Sequence, residues 1–231
     1  MAGASQAPEK LYDEKYFAAQ ISKSDAKAAI QYGKLLRFGG VTAATHPRLL
    51  DAGCGAGPAL PFLQKQGFRL IGSDFIFYPL LEAQKRAPEV PLLNFDLAQG
   101  LPFTDSSFEV ILASEVIEHL RDPLYFLQEA RRVLASGGVL LLTTPNLWDV
   151  RRLGAAITRT TWSGHRDPTH INLMNPRSLS RLMKEAGFER TRWKTGIKPA
   201  YSRSIRRLGW GLELPYPPVI GNGLMAAAFK D

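Results

Sequence analysis

The sequence of 231 residues contains one cysteine. A single cysteine cannot form a disulfide within the chain, so the sequence gives no sign of an oxidising compartment. Its apolar runs all fall short of the roughly 18 residues that a membrane-spanning helix requires. Residues 1–10 lack the basic-then-apolar pattern of a secretory signal. These absences predict a cytoplasmic protein.

The sequence also lacks internal repeats, low-complexity tracts and a composition shift that would mark a linker. Hydrophobic residues make up 45% of the chain and charged residues 22%, as is typical of a globular protein. A chain of this length accommodates one sizeable α/β domain. We therefore expect an N-terminal helical segment at 1–40 and a single domain at 41–231, with an insertion near 147–170.

Acidic residues are scarce in one part of the sequence. Residues 147–212 contain fourteen Lys or Arg against four Asp or Glu, whereas the rest of the chain is close to neutral and the net charge is +8. Such a basic segment suits an anionic substrate, a nucleic acid or a membrane surface, and it is equally typical of a solvated basic face. Composition alone leaves these alternatives open.

Short apolar runs alternate with helical stretches along most of the chain. We predict strands at 48–51, 69–74, 90–96, 108–113, 139–144 and 224–229. We predict helices within 12–38 and at 58–66, 79–86, 123–134 and 176–186. Gly137 and Gly138 are expected to end the fourth of these helices. Strands that alternate with helices favour an α/β fold with a doubly wound, mostly parallel sheet.

A glycine-rich loop, Asp51-Ala-Gly-Cys-Gly-Ala-Gly57, follows the first predicted strand. Ligands of such sheets bind at the carboxyl ends of the strands. Glycines let the backbone turn sharply and approach a ligand closely, and the next helix points its N–H groups at the same place. A tight turn without a ligand also explains such a loop, so the loop alone is a weak signal.

Two further acids stand where the next predicted strands end. Asp74 lies where an acceptor pair could hold both hydroxyls of a ribose, and Asp96 could accept from an adenine amino group. Either acid alone could be a turn or cap residue. The loop spacing is G-x-G-x-G rather than the G-x-G-x-x-G of nicotinamide-binding proteins. Three acids at successive strand ends indicate a nucleoside site.

Five motifs together resemble the class I S-adenosylmethionine-dependent methyltransferases. They are Leu49-Leu-Asp-Ala-Gly-Cys-Gly-Ala-Gly57, Gly72-Ser-Asp74, Leu101-Pro-Phe-Thr-Asp-Ser-Ser-Phe108, Ser114-Glu-Val-Ile-Glu-His-Leu120 and Arg132-Val-Leu-Ala-Ser-Gly-Gly138. The resemblance implies a Rossmann-like sheet of seven strands whose last part, near 224–230, runs antiparallel. It also implies S-adenosylmethionine as the cofactor.

The resemblance assigns roles to residues of the strand ends. It implies that Asp51, Gly53 and Gly55 line the methionine part of the donor and that Asp74 binds the ribose hydroxyls. Asp96 and Leu97 would then hold the adenine beside Phe75. The expected donor-binding set is Asp51, Gly53, Cys54, Gly55, Gly57, Asp74, Phe75, Asp96, Leu97 and Ser114. Cys54 is also explained as a small buried residue.

A cluster of acid–base residues, Glu115, Glu118 and His119, follows the fourth predicted strand. In a helical turn these residues would share one face. His119 could act as a general base, since its ordinary pKa of about 6.5 suits proton transfer. Alternatively, the three side chains could hold a divalent cation that grips the substrate oxygens, or the acid and imidazole could simply pair within the turn.

Similar Glu-x-x-Glu-His clusters occur in two metal-dependent families that this sequence resembles at this motif. One O-methylates catechol-like rings on the way to ubiquinone, and the other methylates the 2′-hydroxyl at small-RNA 3′ ends with a further downstream histidine. His165 and His170 are the downstream candidates here, and His170 fits better by its distance from Asn175. The same motif is widespread among small-molecule methyltransferases without a metal.

The segment after Asn146 is basic and aromatic, with Trp148, Arg151, Arg152, Ile157, Arg159 and Trp162. We expect it to cover the acceptor pocket, where it could meet a phosphate, a nucleobase or a membrane interface, or simply pack. The sequence therefore predicts methyl transfer to a hydroxyl of a small molecule, with catalytic residues His119, Glu115 and Glu118. The alternatives are 2′-O-methylation of an RNA end and a non-catalytic donor-binding partner protein.

Overall fold

The computed structural model describes residues 24–165, 167–196 and 219–231. Within them, a seven-stranded sheet has the order β3-β2-β1-β4-β5-β7-β6. The strands are β1 Arg48–Ala52, β2 Arg69–Asp74, β3 Leu92–Asn94, β4 Phe108–Ser114, β5 Leu134–Pro145, β6 Arg190–Gly196 and β7 Gly223–Phe229. The helices are α1 Asp25–Gly39, α2 Leu60–Lys65, α3 Phe77–Arg86, α4 Pro123–Val133, α5 Arg151–Ile157 and α6 Pro176–Glu185.

Strand direction follows the doubly wound pattern. Strands β1, β2, β3, β4 and β5 pair in parallel, while β7 runs antiparallel to both of its neighbours, β5 and β6. The expectation of a mostly parallel seven-stranded sheet with an antiparallel strand at the C-terminal end is confirmed. Because all parallel strands end at one edge, the loops that follow β1, β2, β4 and β5 meet there.

Helices cover both faces of the sheet. Leu49 and Leu50, which are adjacent in β1, point to opposite faces and belong to two separate apolar clusters. The cluster around Leu49 includes residues of α1, α2 and α3, and the cluster around Leu50 includes residues of α4 and α6. A Cβ atom on Gly39 of α1 would lie 2.6 Å from Leu141, so α1 packs directly on the sheet.

Several predicted boundaries need correction. Helix α4 ends at Val133 and β5 begins at Leu134, so Gly137 and Gly138 lie inside the strand and do not end the helix. Gly137 has φ of 76° at that point, which accommodates an irregular start to the strand. Strand β3 covers only 92–94 of the predicted 90–96. The part of the first predicted helix at 12–23 lies outside the described residues.

One strand was missed by the sequence analysis. Strand β6, Arg-Thr-Arg-Trp-Lys-Thr-Gly, lies at the edge of the sheet and pairs only with β7 among the described strands. Its charged side chains alternate with Thr191, Trp193 and Thr195, a pattern that protects an edge strand from further pairing. Among the described residues, no helix is both long and apolar enough to cross a membrane.

Candidate active site

The glycine loop after β1 is tied to the end of β2. The backbone N–H groups of Gly53 and Cys54 both donate to the carbonyl of Ser73, each at 2.8 Å. The N–H of Gly55 donates to Oδ2 of Asp74 at 2.9 Å. The loop and the acid of β2 therefore form one structural unit.

Positive backbone angles explain why glycine stands at two positions of this loop. Gly53 has φ of 78° and Gly57 has φ of 69°, values that side chains rarely adopt. A Cβ atom on Gly53 would lie 2.5 Å from Cγ2 of Val116, and one on Gly57 would lie 2.8 Å from Ala83 of α3. Val116 belongs to the loop after β4, so the two loops are in direct contact.

Asp51, the first residue of the glycine motif, is buried at the end of β1. Neither of its carboxylate oxygens has a partner in hydrogen-bond geometry among the described residues, although the nearby Tyr32 hydroxyl acts to lower the pKa of Asp51. Burial, with a further contribution from the neighbouring Asp74 carboxylate, raises the pKa of Asp51 to about 7. A buried carboxylate without partners is costly unless a cationic or hydrogen-bonding ligand binds it.

Each carboxylate oxygen of Asp74 accepts a hydrogen bond. Oδ2 accepts from the N–H of Gly55, and Oδ1 accepts from the N–H of Ile76 at 3.0 Å. Each carboxylate oxygen accepts more than one bond, so Asp74 still has room for hydroxyl donors. Burial raises the pKa of its carboxyl. The side-chain amide of Asn94 donates to the carbonyls of Asp74 and Phe75 at 2.9 and 2.8 Å, which fixes the turn after β2.

Asp96 and Leu97 lie after β3. Oδ1 of Asp96 accepts from the N–H of Ala98 at 2.8 Å and so begins a short 3₁₀ turn at Leu97–Gln99. Asp96 therefore caps this turn, which is one of the roles that the sequence left open for it. Leu97 is buried in the apolar cluster.

Ser114, at the end of β4, joins the strand to α1. Its hydroxyl lies 2.9 Å from Oγ1 of Thr143 and accepts from the side chain of Gln31 at 3.2 Å. Gln31 was not among the predicted site residues. It stands 83 positions before Ser114, and no local motif marks it.

The segment after β4 is not the helical turn that the sequence suggested. Glu115 has φ of 58°, and a single 3₁₀ turn follows at Ile117–His119. Glu115 is exposed and accepts a hydrogen bond from Oγ1 of Thr143 at 2.9 Å. The helical turn that would have placed Glu115, Glu118 and His119 on one face is therefore not formed, because Glu115 has a left-handed backbone conformation.

Glu118 is fully buried, with 0% of its surface exposed. Its carboxylate oxygens have no hydrogen-bond partner among the described residues. Burial raises the pKa of this carboxyl well above its ordinary value, and the charge of Glu115 raises it further. An acid in this environment prefers to be neutral unless a cation lies beside it.

His119 stands next to His170 and Glu118. The two imidazole rings are 4.9 Å apart between centroids. One ligand atom from each of Glu118, His119 and His170 lies within 4.8 Å of the others, so these three side chains form a candidate group for holding a metal ion. Glu115 is not a member of this group, so the predicted four-residue cation set is reduced to three.

The downstream histidines have different surroundings. Nδ1 of His170 donates to the carbonyl of Gly164 at 2.8 Å, which holds the ring against the site. His165 instead contacts Trp162 edge-on, with centroids 5.2 Å apart. Of the two candidates, only His170 lies in the group with Glu118 and His119.

The insertion after β5 is anchored by Asp149, whose side chain is almost fully buried. Asp149 accepts from Nε1 of Trp162 at 2.8 Å and from Arg151 at 2.5 Å. Arg152 lies over the Trp162 ring at 5.5 Å, and Arg177 of α6 lies over Trp148 at 5.3 Å. Arg151, Arg152 and Trp162 are therefore held by contacts within this segment.

Taken together, the sheet order, the antiparallel β7 and a glycine loop at the carboxyl end of β1 define a Rossmann-like nucleotide-binding protein of the methyltransferase type. A methyltransferase-domain family matches residues 17–192. The chain belongs to this family, the class I S-adenosylmethionine-dependent methyltransferases. S-adenosylmethionine is the cofactor of these proteins.

Individual relatives agree with this assignment. A probable S-adenosylmethionine-dependent methyltransferase of Mycolicibacterium smegmatis is 36% identical over 145 residues, which cover 61% of this chain and 51% of that protein. A ubiquinone biosynthesis O-methyltransferase of Cereibacter sphaeroides is 31% identical over 150 residues, covering 62% of this chain and 60% of that protein. The chain thus matches about half of the length of these curated relatives.

Solved structures share the fold. An S-adenosylmethionine-dependent methyltransferase of Archaeoglobus fulgidus superposes with a TM-score of 0.67 at 17% identity, covering 94% of this chain and 100% of that chain. A phosphoethanolamine N-methyltransferase of Haemonchus contortus, solved with S-adenosylhomocysteine, gives a TM-score of 0.61 over 85% of this chain and 51% of that chain, at 20% identity.

Proposed function

We propose that the chain transfers the methyl group of S-adenosylmethionine to a hydroxyl of a small molecule, and that His119 accepts the hydroxyl proton. The observation that carries the proposal is the contact between Gly53 and Val116. It joins the glycine loop to the short turn that ends in His119, so the residues for the donor and the residues for proton transfer lie at one edge of the sheet.

The residues at the strand ends fit the donor chemically. The unpartnered buried carboxylate of Asp51 suits the ammonium group of the methionine part. Gly53 and Gly55 leave the backbone open to close approach. Asp74 keeps lone pairs for the ribose hydroxyls, and the adenine would lie between Phe75 and Leu97. When bound, the donor supplies an electrophilic methyl group on a sulfonium.

The protein's own part in the reaction is to bring the acceptor oxygen in line with that methyl group and to take its proton. The oxygen forms the new C–O bond as the C–S bond breaks, and the hydroxyl proton moves to the imidazole of His119. The name of the Cereibacter relative, a ubiquinone biosynthesis O-methyltransferase, supports a hydroxyl acceptor.

The direct test is release of S-adenosylhomocysteine by the purified protein in the presence of a panel of phenols and alcohols. We expect turnover with at least one hydroxyl compound, and a loss of about 100-fold or more in His119→Ala, because a general base contributes roughly that factor. His46→Ala is the matched control, since His46 lies in the loop before β1 and contacts Thr45. Full activity of His119→Ala would contradict the proposal.

A second candidate is supported by the group Glu118, His119 and His170, whose ligand atoms lie within 4.8 Å of one another. In this version Glu118, His119 and His170 would hold a divalent cation, which would supply a Lewis acid for the acceptor oxygen. Two imidazoles and one carboxylate suit Zn²⁺, Fe²⁺ or Mn²⁺. Calorimetric titration with Mn²⁺ or Zn²⁺ tests it: binding that His170→Ala removes and His165→Ala keeps supports the cation. Activity that survives chelation excludes it.

A 2′-hydroxyl of an RNA end is the macromolecular alternative, and the basic segment 147–212 is the observation behind it. Arg151, Arg152 and Arg177 already interact with Asp149, Trp162 and Trp148, which favours a packed cover and a small acceptor. Titration of a short RNA at rising salt distinguishes an RNA acceptor from a small-molecule acceptor. An affinity that falls steeply with salt supports an RNA acceptor, and no RNA binding at low salt excludes it. Donor binding with no acceptor in any class would instead support a non-catalytic partner protein.

A further inference from the structure

The segment 167–172, which includes His170, is hydrogen-bonded to the turn that carries His119. The backbone N–H groups of Ile171 and Asn172 both donate to the carbonyl of Glu118, each at 2.9 Å. Residues 167–172 therefore pack along this turn.

Within this segment, Thr169 is fully buried and is hydrogen-bonded to Asp167. Oδ1 of Asp167 lies 2.5 Å from the hydroxyl of Thr169 and also accepts from its backbone N–H at 2.9 Å. An ionised carboxylate can only accept hydrogen bonds. The single hydrogen of the Thr169 hydroxyl is therefore directed at Asp167.

Thr169 in turn contacts the imidazole of His119. Nδ1 of His119 lies 2.8 Å from the Thr169 hydroxyl oxygen and 3.2 Å from the Thr169 carbonyl oxygen. The carbonyl can only accept, and the hydroxyl has already given its hydrogen to Asp167. In each of these two contacts the partner of Nδ1 is an acceptor, so each contact requires the proton on Nδ1.

We propose that Thr169, oriented by Asp167, is a positioning residue that fixes His119 in the tautomer with its proton on Nδ1. In this tautomer a neutral ring accepts a proton at Nε2, so the acceptor's hydroxyl proton moves to Nε2. Neither Thr169 nor Asp167 needs to touch the substrate. The catalytic role of Thr169 rests on the proposed function, whereas the tautomer of His119 is independent of turnover.

The tautomer is measured by ¹⁵N NMR of protein labelled at its four histidines, at pH 8 with EDTA. The His119 signals are those missing from His119→Gln. We expect the Nδ1–H form in the wild type, a shift towards the Nε2–H form in Thr169→Val and in Asp167→Ala, and retention in Thr169→Ser. Thr195→Val is the control, since it removes a buried hydroxyl from β6. An Nε2–H form in the wild type, or no shift in Thr169→Val, overturns the inference.

Activity gives the second readout. Thr169→Val is expected to lower kcat by about tenfold or more, given the usual contribution of a general base, with the KM for the donor unchanged and Thr169→Ser close to wild type. An equal loss in Thr169→Ser and Thr169→Val would overturn the positioning role. If His119→Ala keeps full activity while the NMR result is as expected, the proposed function fails and the tautomer assignment stands.

Discussion

Cγ2 of Val116 lies 2.5 Å from the place where a Cβ atom on Gly53 would stand. Gly53 belongs to the loop that ends β1, and Val116 belongs to the loop that ends β4. The contact means that any side chain on Gly53 would push the His119 turn away from the donor loop. Glycine is therefore required here for two reasons, its positive φ and the space that Val116 occupies.

Gly53→Ala is expected to weaken donor binding by more than tenfold and to lower the free energy of unfolding. Positive φ alone costs about 1–2 kcal/mol for a non-glycine residue, and the clash with Val116 adds to it. Gly137→Ala is the matched control, since Gly137 has φ of 76° and no atom within 4 Å of its would-be Cβ. Urea unfolding and donor titration measure both effects.

The double variant Gly53→Ala with Val116→Ala isolates the clash. Without the Val116 methyl groups the nearest atom would be its Cβ at 3.7 Å, an ordinary contact distance. Part of the lost donor affinity should return. Equal losses in Gly53→Ala and in the double variant would argue against the clash and leave only backbone strain.

Asp51→Asn should make the donor-free protein more stable at alkaline pH while weakening donor binding. The pKa of Asp51 is raised by burial to about 7 from an ordinary value of 3.8. A group with a raised pKa holds its proton more tightly in the folded state, so the folded state loses stability as pH rises from about 4 to about 7. We expect a gain of up to about 4 kcal/mol at pH 8, because the shift is about three pKa units and each unit corresponds to about 1.4 kcal/mol.

Thermal unfolding of wild type and Asp51→Asn across pH 4 to 8 measures this effect. The two melting temperatures should converge towards pH 4, where the wild-type carboxyl is protonated. Asp105→Asn is the control, because that carboxylate is largely exposed and pairs with Arg132. A stability difference that does not change with pH would show that ionisation of Asp51 is not the cause.

Glu118→Gln distinguishes the two proposed versions of the site. Burial raises the pKa of Glu118 well above its ordinary value, so the cation-free folded state loses stability as pH rises above about 4.5. With EDTA at pH 8, Glu118→Gln should therefore melt at a higher temperature than wild type. If a cation binds, added Mn²⁺ should raise the melting temperature of wild type and leave that of Glu118→Gln unchanged. An equal rise in both proteins would exclude Glu118 as a ligand.

Asp149→Ala should loosen the insertion that follows β5. It leaves Nε1 of the buried Trp162 without its acceptor and removes the buried partner of Arg151. Leaving a buried donor without its acceptor costs about 1–3 kcal/mol, whereas Asp105→Ala, at an exposed pair, should cost under about 1 kcal/mol. Trp fluorescence and the KM for the acceptor report the change. A normal acceptor KM in Asp149→Ala would mean that the insertion does not cover the acceptor pocket.

Most of the fold could be predicted from local pattern. The apolar runs at 48–51, 69–74 and 108–113 became β1, β2 and β4, and α4 begins at Pro123 as expected. Strand β6 could not be found in this way, because its charged residues suit an edge and give no continuous apolar run. The start of β5 was misplaced because two glycines usually end a helix and here fit an irregular strand start.

The site was predictable only in part. The motif residues Asp51, Gly53 and Asp74 lie together at the carboxyl edge, since β1 and β2 pair in parallel. Glu115 and Glu118 are the same residue type three positions apart in the motif, yet one is exposed and the other fully buried. The backbone at Glu115 has a positive φ, and no spacing rule predicts it.

The sequence by itself determined most of the strands and helices, the glycine loop and the acids at the strand ends, because these depend on local periodicity and on backbone angles near one another in the chain. Tertiary structure alone decided that Gln31 reaches Ser114 across 83 positions and that Thr169 reaches His119 across 50. Such contacts depend on how the loops pack at one edge of the sheet. The tautomer of His119 belongs to this second group, because a hydrogen bond between distant segments sets it.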